Sequence, residues 1–180
     1  MLKRLGCIVI VVSAAAVVGG CSRGSGTAVA GVLDPCREIS DSLIREAGFN
    51  PGTKQVKGEG VPAQECSMNS PYSTLQLILL TAPVENSASQ YDALLADAQA
   101  RATATGSRQP ELSAINGREA FTHPENYDAD GRTISMGCST ALRTKSGVLN
   151  INVMVVPVRE DSCAAATRIA TLFEPTLGDR

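Results

Sequence analysis

The chain of 180 residues has no tryptophan, three phenylalanines, three tyrosines and a single histidine. So few rings disfavour sugar binding, because sugar sites usually stack their ligand on aromatic side chains. One histidine, His123, leaves a serine or cysteine nucleophile a single usual general base. Basic charge is also short, with 16 Lys and Arg against 18 Asp and Glu. That balance excludes the clustered cations that nucleic-acid phosphates require, and the polybasic segment that holds an anionic membrane surface. No cysteine pair has Cys-x-x-Cys spacing, so neither a zinc knuckle nor a thioredoxin-like redox centre is expected.

The chain does have one long apolar run, at its start. Lys3 and Arg4 precede an apolar stretch from Leu5 to Val18, and Val18-Gly19-Gly20-Cys21 closes it with small residues before a cysteine. The run suits a signal peptide and is short for a bilayer span. Its end resembles the lipobox of bacterial lipoproteins, in which the cysteine takes up diacylglycerol and becomes the first mature residue. Residues 1–20 are therefore expected as a signal peptide and Cys21 as the lipidation site, with palmitate or a related acyl chain added. Residues 21–32, which open Cys21-Ser22-Arg23-Gly24-Ser25-Gly26-Thr27-Ala28, form a small, flexible tether. The expected location is the extracytoplasmic face of the cell membrane, lipid-anchored. Removing residues 1–20 leaves 14 Lys and Arg against 18 Asp and Glu, a net charge of −4. Residues 33–180 then fit one globular domain.

Four cysteines remain in that domain: Cys36, Cys66, Cys138 and Cys163. An even number in an exported chain indicates a disulfide framework, with three possible connectivities. Neighbouring pairs, Cys36–Cys66 and Cys138–Cys163, are the expected ones. The first would pin the opening helix to the first strand, and the second the sheet to the closing helix. A core of small aliphatic side chains gains most from such staples.

Asp34-Pro35-Cys36 starts a helix, since Asp caps and Pro suits the first turn. Ile39, Leu43, Ile44 and Ala47 recur at helical spacing, and Gly48 is the stop. Residues 50–62, rich in Gly, Pro and Lys, are expected as a loop. Strands follow over Ala63–Met68 and Thr74–Thr81, the second almost wholly apolar and so central. A capping box at Ser87-Ala88-Ser89-Gln90 opens a helix to Thr105, apolar at Tyr91, Leu94, Leu95, Ala98 and Ala102. Asn116-Gly117 marks a hairpin between Glu111–Ile115 and Arg118–His123. A polar loop over residues 124–131 leads to strands Thr133–Arg143 and Val148–Val158. In the latter, Leu149, Ile151, Val153 and Val155 share one face, while Asn150, Asn152 and Met154 share a more exposed one. Asp161-Ser162 caps a last helix carrying Ile169, Ala170, Leu172 and Phe173, and Pro175 ends it. The plan is α+β: a mainly antiparallel sheet of about six strands covered by two or three helices, with two disulfides.

The lipobox, the tether phrase Ser25-Gly26-Thr27-Ala28-Val29, Asp34-Pro35-Cys36 opening a helix and Cys163 opening the last one resemble a family of actinobacterial secreted lipoproteins. The mycobacterial LprB and LprC type stands near this family, whose domain has no assigned function. The resemblance covers nearly the whole mature chain and implies a location and a cysteine plan, without a reaction. Members often carry Trp two residues after the second cysteine; here Met68 stands there, so no aromatic-dependent role is expected at that position.

Three patterns invite chemistry, and each has a plainer account. Gly20-Cys21-Ser22-Arg23-Gly24 matches the Gly-x-Ser-x-Gly elbow, but a nucleophile elbow joins a strand to a helix and this one spans a cleavage site and a tether. His123 lies beside the polar residues Glu125, Asp128 and Asp130, yet no serine stands out as its nucleophile; a strand-end histidine facing water is expected. Asn126-x-Asp128-x-Asp130-Gly131 copies the first half of a calcium loop, whose twelfth position would be Gly137 instead of Glu. A solvated turn is expected, with no metal, no cofactor and no catalytic residue. The functional expectation is a membrane-anchored, non-catalytic module binding a partner protein or cell-envelope molecule, with no nucleic-acid partner. The alternatives are a lipid or glycolipid carrier or chaperone with an apolar cavity, and an unrecognised enzyme.

Overall fold

A computed structural model describes residues 34–58, 63–81, 87–129, 132–145, 147–155 and 161–178. The expected signal peptide, Cys21 and tether lie outside these residues. Two short helices come first, α1 (Pro35–Glu38) and α2 (Asp41–Glu46), where one was expected. The break is a matter of capping. Asp34 Oδ1 accepts the N–H of Cys36 at 2.9 Å and starts α1; Ile39 is extended, and Ser40 Oγ accepts the N–H of Leu43 at 3.3 Å and starts α2. Gly48, at φ +95°, closes α2: its N–H reaches Arg45 O, and Phe49 N–H reaches Ile44 O. That pair of bonds is a Schellman cap, with buried Phe49 and Ile44 supplying the apolar contact.

Seven antiparallel strands follow: β1 (Asn50–Lys57), β2 (Ala63–Asn69), β3 (Ser73–Thr81), β4 (Glu111–Ile115), β5 (Arg118–Ala129), β6 (Arg132–Thr144) and β7 (Gly147–Val155). Their order across the sheet is β1-β2-β3-β7-β6-β5-β4. Helix α3 (Ser87–Thr105) joins the two halves of the sheet. Helix α4 (Ser162–Phe173) and a 3-10 turn (Glu174–Leu177) follow the last strand.

The seventh strand is β1, expected as loop. It carries Pro51 and Gly52, a composition that reads as a turn, and it survives as a strand because it lies at the sheet edge. Its pairing with β2 slips between Asn50 and Gln55, then holds at Val56↔Cys66 and Lys57↔Glu65. β5 is the second correction. It runs through His123 to Ala129, so residues 124–129 are strand where a polar loop was expected. Pro124 is tolerated because β4 stops pairing at Glu111↔Thr122, leaving that edge of β5 with no described neighbour. The Asn116-Gly117 hairpin forms as expected, with φ of +51° and +87°.

Leu75, Leu77, Leu79, Leu149 and Ile151 line one face of the sheet under α1, α2 and α4. The disulfides Cys36–Cys66 and Cys138–Cys163 fasten α1 and α4 to it. Met68, in the place considered for an aromatic, is fully buried in this core. α3 lies over β6 and β7 on the opposite face, where Tyr91 and Ala98 pack with Phe121, Ala141 and Val148. The expected alternation of β7 holds: Leu149, Ile151 and Val153 are buried, while Asn150, Asn152 and Met154 on the other face are only partly so. The Oδ1 atoms of Asn150 and Asn152 are nevertheless buried, with no hydrogen-bond partner among the described residues. The outer face of β7 is a polar strip beside a covering helix.

Candidate functional site

The polar strip leads to His123. Strand pairing places Asn152 opposite Ser139 and Ser139 opposite His123, so the three share a face of adjacent strands. His123 is only 7% exposed, with its ring stacked on Phe121 at a centroid distance of 5.6 Å. The expectation that it faces water is therefore overturned: β5 continues past it, and the end of α3 shelters it. Phe121 in turn meets Tyr91 of α3 edge-on at 5.3 Å. Burial, with the negative charges of Glu119 and Asp92 nearby, raises the Tyr91 phenol to about 12.

Ser139 Oγ donates to Glu125 Oε1 at 2.7 Å, and His123 Nε2 lies 3.6 Å from that oxygen. The carboxylate thus stands between serine and imidazole. Nucleophilic catalysis needs the reverse order, with the imidazole taking the serine proton, and Ser139 has no exposed surface for a substrate to reach. These three side chains form a strut across β5 and β6. Gly137 completes its frame: at φ +152° it lies so close to β7 that a Cβ would come within 2.2 Å of Val153 O.

The end of α3 closes over this strut. Gly106, at φ +66°, ends the helix, and Ser107 N–H returns to Ala102 O at 2.9 Å. Ser107 Oγ then bonds Thr105 Oγ1 at 2.7 Å and accepts from Asn126 Nδ2 at 2.5 Å. A small open cleft, enclosing only about 20 Å³, remains between α3 and β5. Ala98, Ala102, His123 and Pro124 line it together with the polar Arg101, Thr105, Ser107, Arg108 and Asn126. Arg101 pairs with Asp97 one turn back at 3.1 Å. His123 and Asn126 were singled out in the sequence; Arg101, Ser107 and Arg108 were not. The signal for them was Gly106 as a helix stop, which throws the next two residues back over the sheet.

The described part of the half calcium loop is strand. Asn126 and Asp128 lie in β5, with Asn126 bonded to Ser107, while Asp130 and Gly131 fall outside the described residues. Among the described residues no group of three or more His, Cys, Asp or Glu side chains is gathered as a metal ion would need. No helix among them is long and apolar enough to cross a membrane.

The family described as Protein of unknown function (DUF3558) matches residues 16–176, and the chain belongs to it. No curated protein and no solved structure matches the chain.

Proposed function

We propose that this chain is a lipid-anchored module on the extracytoplasmic face of the cell membrane, a secreted lipoprotein of the actinobacterial type its motifs resemble. Its role is to bind a partner protein or a cell-envelope molecule without transforming it. The observation that carries this reading is the pair of disulfides, each joining a helix to the sheet. Such bridges persist where the surroundings are oxidising, and are rare where cytosolic thiols are kept reduced. They agree with the export signal and lipobox read from residues 1–21, and with a tether long enough to lift a folded domain off the bilayer.

Binding at the surface is favoured over carriage of a lipid inside. An apolar cavity would have to open between helices and sheet, yet Leu75, Leu77, Leu79, Leu149, Ile151 and Phe173 are fully buried in that layer. Fractionation of the producing cells tests the anchor. The protein should sediment with membranes and stay there in high salt, because two or more acyl chains hold stably where one is marginal. Cys21→Ala should accumulate as uncleaved precursor. Normal cleavage and membrane retention of that variant would contradict the reading.

A further inference from the structure

We propose that the cleft between α3 and β5 binds a single oxyanionic group, the carboxylate or phosphate at one end of a soluble ligand. This deepens the binding-module reading above and rests on it, but it concerns the folded domain and not the anchor. The polar lining is rich in donors. Arg108 is exposed at the rim and has no ion pair or hydrogen bond among the described residues, and Arg101 stands beside it with Asp97 as its only ion-pair partner there. Ser107 and Thr105 add hydroxyls. His123 lines it too, buried, with Nε2 facing Glu125 Oε1 at 3.6 Å and Nδ1 at 3.2 Å from Pro124 O, so its ring reports on the cleft and is not counted among the donors.

Three features oppose an anion. The last turn of α3 carries roughly half a negative charge, although Ser107 N–H already occupies Ala102 O; Asp97 offsets the charge of Arg101, which leaves Arg108 in excess; and Glu125, which accepts from Ser139, does not line the cleft. A guanidinium matches a carboxylate or phosphate in shape as well as charge, since its N–H groups form a planar fork. Size limits the ligand class: the enclosed space is only about 20 Å³, so a small headgroup can seat an oxygen or two while the rest stays in the open mouth, and no acyl chain fits. The source is soluble and not a bilayer, because a mature chain of net charge −4 is repelled by an anionic lipid surface.

The single histidine makes the test direct, because every imidazole resonance in the protein belongs to His123. The protein purified from its producing cells in neutral detergent, acylated or not, is titrated with inorganic phosphate, and separately with acetate, at constant ionic strength set by chloride. The His123 ring signals should shift saturably. Arg108→Gln and Arg101→Gln should each weaken binding by up to about fivefold, the scale of one exposed ion pair. Arg45→Gln, on α2 across the sheet, should not. The same shift with chloride alone, no saturation, or titrations unchanged by both cleft variants would overturn the proposal. So would a response to phosphatidylglycerol in the micelle without one to phosphate or acetate. Failure of the anchor would leave this titration unchanged, so the two ideas fall separately.

Discussion

Arg118 Nε and Glu174 Oε1 meet at 3.1 Å, with side chains 7% and 1% exposed, and so fasten the start of β5 to the turn after α4. Arg118 also donates from Nη1 to Arg143 O on β6 at 3.0 Å. One residue thus ties the turn, the hairpin and the sheet together. A buried pair of this kind contributes little net stability against a well-packed apolar substitute, but losing one partner strands the other charge.

Glu174→Ala should therefore destabilise the domain by about 3–5 kcal/mol, the usual cost of breaking a buried ion pair by removing one partner. The double change Arg118→Met/Glu174→Leu should cost clearly less than Glu174→Ala alone. Urea denaturation of the three proteins measures this. Equal losses in the single and double variants would show that packing around Glu174, and not its charge, is what matters.

Each disulfide should stabilise by about 3–4 kcal/mol through the loop it closes in the unfolded chain, the bridged cysteines being 30 and 25 residues apart. Non-reducing peptide mapping should recover Cys36 with Cys66 and Cys138 with Cys163. The paired variants Cys36→Ala/Cys66→Ala and Cys138→Ala/Cys163→Ala should each lower the denaturation midpoint by a similar amount. Loss of one pair with no change in midpoint would mean that its loop is already constrained in the unfolded chain.

Tyr91 gives a prediction on the alkaline side. Its folded value of about 12 lies above the ordinary 10.0, chiefly through burial, so folding favours the neutral phenol. The resulting stability is complete below pH 10 and is lost as pH rises through about 12. Phenolate absorbance should show a late component that Tyr91→Phe removes, and Tyr91→Phe should retain more of its neutral-pH stability at pH 11. A titration with no late component would contradict the packing of Tyr91 against Phe121.

Much of this fold was legible because local chemistry and long-range packing agree. Asp34 and Asp161 cap the helices they precede, Asn116-Gly117 turns its hairpin, and the alternation of Leu149, Ile151 and Val153 marks the buried face of β7. Legibility failed where position in the sheet overrode local propensity. Pro51 and Pro124 both read as loop, and both lie in strand where one edge has no described neighbour. Ser40 is another such case: it sits within a helical pattern of apolar residues but acts as a cap, and no spacing rule separates the two roles. The cleft was half legible. His123, Glu125 and Asn126 stood out by type, but their partners Ser139 and Ser107 become neighbours only through strand register and the turn at Gly106.

The central claim is that the domain is carried on a lipid at Cys21, and the intact mass of protein extracted from membranes tests it most directly. The mass should equal that of the chain from Cys21 to Arg180 with two disulfides formed and diacylglycerol with any further acyl chain added at Cys21. A mature chain that begins elsewhere, or one that begins at Cys21 with no lipid mass, would contradict it.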